Sequence, residues 1–348
     1  MGTARYSNLA KAAKLSVLYA FPGEGGHGTA GANPLGGIIR DAKGDIHGVT
    51  EFGGVENEYG VVFKLSVTGK EAVLHTFAGP PKDGAEPVSS LLLGSSGMFY
   101  GTTAFGGSGE CRGGPDCGIV FAIDSAGHYS IIHNFQGGPD DGIEPWGNLV
   151  QDAQGNIYGT TMGGGPEAGL CGPPYAFGCG TIFKLSANSD GGWTESILYN
   201  FTGAADGSDP VTLAIDAQGN LYGAALFGGS HGCVGGCGTV FKMDTGGDFT
   251  VLHSFTGGNG GMGPDSVLPD AAGNLYGSAI GGSPSCQSAC GIVYKLDASQ
   301  KFTVLHSFNG KDGDAPGYLI LNEGTGILYG TTNLGGTSNW GTIFQLKP

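Results

Sequence analysis

The sequence predicts an all-β fold: a six-bladed β-propeller of four-stranded blades, with the ring closed by an N-terminal strand that pairs in the last blade. A segment of the type Asn-Leu-Tyr-Gly, followed by Gly-Gly and then by Gly-Thr-Val-Phe-Lys-Leu, recurs along the chain. The glycine after the tyrosine position falls at Gly48, Gly101, Gly159, Gly223, Gly277 and Gly330. The spacing between successive copies is 53 to 64 residues, and repeats of about this length with four short strands are typical of propeller blades.

Glycine is unusually frequent, with 72 residues in a chain of 348. The glycines stand at fixed places in the repeat, beside β-branched and aromatic residues, and therefore indicate turns and bulges between strands. No collagen-like period is present. One closed domain is the expected organisation, because propellers grow by adding blades.

Each repeat contains four strand-like runs. In the fourth repeat they cover 210–216, 220–226, 238–244 and 249–255, and the last alternates between two faces: Val251, His253 and Phe255 on one, Leu252 and Ser254 on the other. Helical periodicity is absent. The pattern predicts four antiparallel strands in each blade.

The two ends of the chain complement each other. The last repeat stops after its third strand, at 341–346, whereas the first repeat is preceded by an unpaired outer-strand run at 15–21. Pairing these runs would remove two open sheet edges. We therefore expect residues 1–13 to form a tail and residues 14–348 to form a single propeller domain.

Eight cysteines occur as four local pairs in equivalent loops between second and third strands. The pairs are Cys111 with Cys117, Cys171 with Cys179, Cys233 with Cys237, and Cys286 with Cys290. Equivalent places and an even count predict disulfides in an oxidising compartment. Zinc is the competing interpretation, but no Cys-x-x-Cys pair occurs.

Localisation follows from the same observations. Residues 1–13 lack the apolar core of a signal peptide, which suggests that a leader was removed from a secreted protein. No apolar run is long enough to cross a membrane. We expect an extracellular or cell-surface protein that is not inserted in a membrane.

The repeated units LYGTT…GG…GTVFKL and DAQGN[LI]YG resemble the GloVer repeat of secreted bacterial choice-of-anchor tandem repeat proteins. The resemblance covers essentially the whole chain, and it implies a secreted or surface β-propeller with no settled activity. It supplies no catalytic motif to carry over. Because the chain ends at Lys347-Pro348 directly after the last strand, we expect an anchor to be absent or to have been removed.

The long loops of a propeller open on one face, and here they contain all the cysteines and most of the net charge of −15. Binding residues commonly lie on such loops, so this face is the candidate functional face. An acidic field disfavours nucleic acid, anionic membranes and acidic polysaccharides as partners. We expect a monomer whose partner is a neutral glycan or a protein.

An Asp-Gly-x-x-Pro element precedes the inner strand in four repeats. It occurs at 83–87, 141–145, 206–210 and 312–316. Turn chemistry explains the aspartate, the glycine and the proline, and is the favoured interpretation. The second carboxylates, Glu86, Glu144 and Asp209, could nevertheless meet a Ca²⁺ ion at the mouth of the channel.

Several histidines share one position of the repeat. The position holds Tyr19, His75, His133, Tyr199, His253 and His306. Because tyrosine and histidine alternate there, we interpret these rings as packing residues. By the same reasoning Phe52, Phe105 and Phe227 are expected to be structural, since Met162, Ile280 and Leu334 fill the same site.

Residues that break the repeat are the candidate binding residues. They are Trp146, Asn148, Tyr175, Tyr318 and Trp340. Aromatic rings stack on the apolar faces of neutral sugars, and amides bond to sugar hydroxyl groups. The alternative, that these rings cover loop backbone, stays open.

Two functions from different classes remain. The first is a secreted binding propeller that presents an acidic, aromatic-bearing face to a neutral glycan or protein, with or without calcium. The second is a glycoside hydrolase in which two of the carboxylates Glu86, Glu144 and Asp141 act as acid and as base or nucleophile. Binding is favoured because turn chemistry explains each regular carboxylate.

Overall fold

The structure is a computed structural model that describes residues 18–21, 31–54, 59–111, 114–166, 171, 177–229, 232–282, 290–336, 339 and 341–348. Within these ranges the six blade sheets are antiparallel and follow one another in sequence order, which confirms the predicted six-bladed β-propeller. The helical content of the same ranges is one short 3-10 turn, Gly258–Gly260. No helix there has the length and apolar character needed to cross a bilayer.

Five blades have four described strands, and blade 6 has three. Blade 1 consists of Ile39–Arg40, Ile46–Thr50, Val61–Leu65 and Glu71–Thr76, and blade 2 of Leu92–Leu93, Phe99–Thr103, Ile119–Ile123 and Tyr129–Asn134. Blade 3 consists of Val150–Gln151, Ile157–Thr161, Thr181–Ala187 and Trp193–Asn200, and blade 4 of Ser208–Ile215, Leu221–Phe227, Thr239–Met243 and Phe249–Ser254. Blade 5 consists of Met262–Pro269, Leu275–Ile280, Ile292–Leu296 and Phe302–Ser307, and blade 6 of Asp314–Asn322, Ile327–Leu334 and Thr342–Leu346.

Short ladders extend the sheets toward the loop face. They pair Gly31–Ala32 with Phe52–Gly53, Gly84–Ala85 with Phe105–Gly106, Glu110–Cys111 with Gly114–Pro115, and Gly142–Ile143 with Gly163–Gly164. Each of these ladders lies in the long loops of blades 1 to 3. They hold the long loops in defined positions.

The recurring Tyr-Gly step has a steric cause. Its glycine pairs across the sheet with an aromatic residue of the third strand, as Gly101 does with Phe121 and Gly223 with Phe241. The ring lies flat over the glycine: a Cβ at Gly101 would sit 2.5 Å from Cζ of Phe121, and the approach at Gly223 is closer still. Any larger residue would displace the ring from the core.

The same third-strand rings join the blades. Each meets, edge to face, the last aromatic residue of the outer strand of the preceding blade. The pairs, with centroid separations, are Phe77–Phe121 (5.3 Å), Phe135–Phe183 (5.2 Å), Phe201–Phe241 (5.2 Å), Phe255–Tyr294 (5.4 Å) and Phe308–Phe344 (5.1 Å). Edge-to-face pairs of this kind add about 0.5 to 1.5 kcal/mol each beyond the burial of their area.

The Asp-x-x-Gly-Asn-x-Tyr motif is a hydrogen-bonded turn. In blade 3, one oxygen of Asp152 accepts hydrogen bonds from the backbone N–H groups of Gln154 and Asn156, both at 2.9 Å. Its other oxygen accepts from Asn156 Nδ2 at 2.7 Å and from the Tyr158 hydroxyl at 2.8 Å. Lys184 of the next strand then places Nζ 5.6 Å from the Tyr158 ring centroid. The motif is therefore a structural device on the face opposite the long loops.

The N-terminal segment contributes a sixth aromatic contact. Phe21 packs edge-on against Phe63 of blade 1 at 5.1 Å, which is the geometry of the other five junctions. Residues 18–21 thus lie against blade 1 as an outer strand of the last blade would. Residues 15–17 are outside the described ranges, so their pairing with Thr342–Leu346 stays a prediction.

The third strand of blade 6 is more exposed than the third strands of blades 4 and 5. Ile343 in the third strand of blade 6 is 83% exposed, whereas Val240 and Val293 at the same position are fully buried. The contact of Phe21 with Phe63 is therefore the main described contribution of the N-terminal segment to the blade 6–blade 1 junction.

We expect Gly223→Ala to lower the free energy of unfolding by about 1 to 3 kcal/mol, because the added methyl group overlaps the ring of Phe241. Chemical denaturation measures the loss. The matched control is Gly114→Ala, where a Cβ meets no atom within 4 Å. Equal stability of the two variants would contradict the steric explanation.

We also expect Phe21→Ala to destabilise the protein by about 1.5 to 3 kcal/mol, because the variant removes the aromatic contact at the sixth junction. Leu18→Ala is the control, since Leu18 is 62% exposed in the same segment. The midpoints of chemical denaturation give the comparison. A Phe21→Ala variant as stable as the control would show that the N-terminal segment does not close the ring.

Candidate functional site

The residue before the inner-strand proline adopts a left-handed backbone conformation in successive blades. Its φ is 56° at Glu86, 58° at Glu144 and 54° at Asp209. The backbone N–H of each bonds to a carbonyl group of the preceding blade: Glu144 to Cys117 and Asp209 to Cys179, both at 3.0 Å. These bonds between blades hold a conformation that is unfavourable for a residue with a side chain.

A cleft of about 660 Å³ opens between the loops of blades 3 and 4. Glu144 and Asp209 line it. Its other side chains are mainly apolar, namely Met162, Phe177, Phe227 and Val234, together with several glycines. Phe227 is 44% exposed, so its ring is available to a ligand. Acidic and apolar groups therefore meet on the predicted functional face.

Two disulfides support the walls of this cleft. The bonds Cys171–Cys179 and Cys233–Cys237 are formed, and Cys171 and Cys233 line the cleft. The bond Cys111–Cys117 is also formed, so three of the predicted disulfides are confirmed. Cys290 is disulfide-bonded as well, but its expected partner Cys286 lies outside the described residues.

The carboxyl group of Asp209 in the cleft has a strongly raised pKa. Burial, and next the charge of Glu144, raise the pKa of Asp209 to about 6. Both causes disfavour the ionised form, because the group loses water and faces a like charge. Asp209 therefore carries a proton at mildly acidic pH, where an ordinary aspartate is ionised.

The first aspartate of the Asp-Gly-x-x-Pro element closes a turn, as the turn interpretation proposes. Asp83 accepts hydrogen bonds from the backbone N–H groups of Gly84 at 2.8 Å and Ala78 at 3.0 Å. Asp141 accepts from Gly142 and Gln136, both at 2.6 Å. The loop backbone therefore holds these two carboxylates in fixed orientations.

Glu86 does not share the cleft with Glu144 and Asp209. It occupies the equivalent position one blade earlier, where burial, and then the charges of Glu51 and Asp116, raise its pKa. The calcium site predicted from Glu86, Glu144 and Asp209 stays a prediction. Among the described residues, the group whose potential metal ligands come within 4.8 Å of one another is His133, Asp141 and Glu195.

Two of the predicted packing histidines form stacked pairs with an aromatic ring of the next blade. His75 stacks on Tyr129 at 3.6 Å, and His253 stacks on Phe302 at 4.1 Å. His133 differs, because the corresponding residue of the next blade is Glu195. This glutamate was missed in the sequence, and the signal for it is a carboxylate at a position filled by aromatic residues in three other blades.

Other candidate binding residues lie apart from the cleft. Asn148, just before the inner strand of blade 3, bonds to the inner strand of blade 4: its Nδ2 donates to the Leu213 carbonyl at 2.8 Å and its Oδ1 accepts from the Leu213 N–H at 3.1 Å. Trp146 is half-buried in the same segment. Tyr318 is 44% exposed in the first strand of blade 6. Tyr175 and Trp340 lie outside the described residues.

Phe227 is a functional candidate that the repeat pattern concealed. Its position is filled by Ile280 in blade 5 and Leu334 in blade 6, which favoured a structural role. Only the neighbouring loops, with Phe177 and Val234, turn this position into a wall of the cleft. Repeat position alone does not reveal such a difference.

We expect the melting temperature of the protein to fall as the pH rises from about 4 to about 6. A raised pKa means that the folded state binds more protons than the unfolded state in this window, so stability is lost as Asp209 ionises. Asp209→Asn should flatten this slope and raise the melting temperature at pH 7. The exposed Asp140→Asn is the control; an unchanged slope in Asp209→Asn would contradict the assignment.

Two solved structures are similar to this chain. A solved gluconolactonase from Xanthomonas campestris is 15% identical, with a TM-score of 0.50, and the alignment covers 91% of this chain and 87% of that one. A luciferin-regenerating enzyme is 16% identical, with a TM-score of 0.48, covering 91% and 92%. At 15% identity the likeness to the gluconolactonase concerns the fold alone. No curated protein matches this chain.

The family model of the Gloeobacter/Verrucomicrobia repeat matches residues 4–233 and 168–348. These two matches together span nearly the whole chain and confirm the resemblance inferred from the LYGTT and GTVFKL units. The chain belongs to the family of Gloeobacter/Verrucomicrobia repeat proteins.

Proposed function

We propose that this protein is a secreted binding propeller that takes a neutral glycan in the cleft between blades 3 and 4. The observation that carries the proposal is the pairing of an exposed aromatic ring, Phe227, with the two carboxylates Glu144 and Asp209 in one cleft. Aromatic rings stack on the C–H faces of sugars, and carboxylates accept hydrogen bonds from sugar hydroxyl groups.

The size and charge of the cleft support this choice of ligand. A volume of about 660 Å³ lies in the usual range for a small-molecule site. No lysine or arginine lines the described part of the cleft, so an anionic ligand would meet repulsion without a compensating cation. A neutral, hydroxyl-rich molecule fits both properties.

The disulfides support a site that is formed before the ligand arrives. Cys171–Cys179 and Cys233–Cys237 restrain the loops on both sides of the cleft. A restrained site loses less conformational entropy on binding than mobile loops would. Disulfide bonds are also the observation that supports an extracellular location.

Hydrolysis of the bound glycan is the second candidate function, and one observation favours it. Asp209, with a pKa raised to about 6 by burial and by Glu144, could act as the acid while Glu144 acts as base or nucleophile. This pair replaces the combination of Glu86 and Glu144 that the sequence suggested, because Glu86 lies beside Glu51 and Asp116 instead.

A panel of neutral polysaccharides tests both functions in one experiment. Retention of the protein on the polysaccharide and release of reducing ends are measured together, with calcium and with a chelator. We expect retention without release. Release that Asp209→Asn and Glu144→Gln both abolish would make the protein a hydrolase, and neither retention nor release would contradict the glycan proposal and favour a protein partner.

We expect Phe227→Ala to weaken binding of the retained polysaccharide about tenfold, because the loss of a stacked ring costs about 1 to 1.5 kcal/mol. Isothermal titration with a soluble oligosaccharide measures the change. Ile280→Ala is the matched control, since Ile280 fills the same position of blade 5 and is also partly exposed. Similar losses in both variants would place the glycan outside the cleft.

A further inference from the structure

Blades 2 and 3 meet at a cluster of three metal-ligating side chains that lies outside the cleft. His133 comes from the outer strand of blade 2, Glu195 from the outer strand of blade 3, and Asp141 from the loop that leads into blade 3. One ligand atom of each lies within 4.8 Å of the others. All three side chains are largely buried, between 11% and 17% exposed.

Three other junctions, between blades 1 and 2, 3 and 4, and 4 and 5, are closed by stacking of two rings. Tyr199 stacks on Phe249 at 3.8 Å, and His253 stacks on Phe302 at 4.1 Å, with nearly parallel planes. At the blade 2–blade 3 junction, Glu195 occupies the place of the second ring. Glu195 therefore removes an aromatic contact at this junction and places a second carboxylate, besides Asp141, near His133.

Glu195 shares a side-chain hydrogen bond with Asp141, but the histidine of the cluster lies farther from its carboxylates than other histidines of the chain do. His75 Nε2 lies 2.9 Å from its aspartate, Asp83, and His306 Nε2 lies 3.0 Å from Asp312. His133 Nε2 instead lies 3.6 Å from Asp141 Oδ1 and 3.6 Å from Glu195 Oε2. Two ligands bound to one tetrahedral zinc ion are ~3.3 to 3.6 Å apart, given metal–ligand bonds of about 2.0 to 2.2 Å.

Two buried atoms of the cluster also lack hydrogen-bond partners. His133 Nε2 and Glu195 Oε1 are inaccessible to solvent and make no hydrogen bond to any described residue. Buried polar atoms nearly always have a hydrogen-bond partner, so two such atoms without one are consistent with a bound ion between them. Asp141, by contrast, is oriented by the N–H groups of Gln136 and Gly142, an arrangement common around metal-binding carboxylates.

We propose that His133, Asp141 and Glu195 bind one Zn²⁺ ion that joins blades 2 and 3. A mixed set of one imidazole and two carboxylates suits Zn²⁺, whereas Ca²⁺ prefers oxygen ligands alone. The two carboxylates balance the charge of the ion. Three protein ligands leave the fourth tetrahedral position to a small ligand such as water.

The test is titration of the tag-free protein with Zn²⁺ after dialysis against a chelator, followed by calorimetry and by the melting temperature. We expect one tight site and a higher melting temperature with Zn²⁺. The key variant is Glu195→Phe, which installs the residue that blades 4 and 5 carry at this position. It should fold, stack on His133, lose that site and show no rise in melting temperature.

A second variant distinguishes the loss of a metal ligand from a change in side-chain packing. Glu195→Gln keeps the shape of the side chain and removes its charge, so we expect at least a tenfold loss of Zn²⁺ affinity with little change in apo stability. Ca²⁺ in place of Zn²⁺ should give no comparable site. Equal Zn²⁺ stoichiometry and affinity in wild type and Glu195→Phe would overturn the proposal, as would a wild-type protein that binds no Zn²⁺.

Discussion

The edge-to-face contact between aromatic rings at each blade junction is the interaction on which the rest of the structure depends. The outer-strand ring of one blade, such as Phe201, meets the third-strand ring of the next, such as Phe241. That second ring lies so close to the strand beside it that only glycine fits there, at Gly223. The most frequent motif of the sequence is thus the consequence of packing between blades. Its sixth copy, Phe21 against Phe63, brings the N-terminal segment to blade 1.

A scaffold fixed in this way allows equivalent positions to diverge without loss of the fold. The position before the inner-strand proline keeps its left-handed backbone at Glu144, Asp209 and Ala315. At Glu144 and Asp209 it also keeps its bond to the preceding blade, while the side chain varies. The outer-strand position that stacks as Phe249 or Phe302 carries Glu195 in blade 3. In both cases the repeat determines the conformation of the backbone, and a single side chain determines which chemical group lies at that position. Acidic groups therefore collect at two places, the cleft and the blade 2–blade 3 junction.

The sequence predicts the parts of this structure that follow from local patterns. Strand number and blade number depend on spacing that every repeat displays, and they were predicted correctly. The three described disulfides follow from cysteine pairs in equivalent loops, and they too were predicted correctly. The cleft depends on which two neighbouring loops diverge together, so Phe227 was interpreted as structural although it lines the site. Ligand binding by Asn148 stays a prediction; the structure adds that its amide bonds Leu213 of the next blade, a contact between blades that the sequence does not reveal. Neither distinction is visible in one sequence, since both depend on contacts between different repeats.

Hydrogen–deuterium exchange with and without a bound neutral oligosaccharide tests most directly whether the cleft between blades 3 and 4 is the functional site. The loops that line it include 162–163, 227–229 and 233–236. The matching comparison is the loop segments 280–282 and 334–336 of blades 5 and 6, which share the repeat position but not the cleft. We expect slower exchange in the loops that line the cleft and no change in the loop segments of blades 5 and 6. Protection of blades 5 and 6 with unchanged exchange around Phe227 and Asp209 would contradict it.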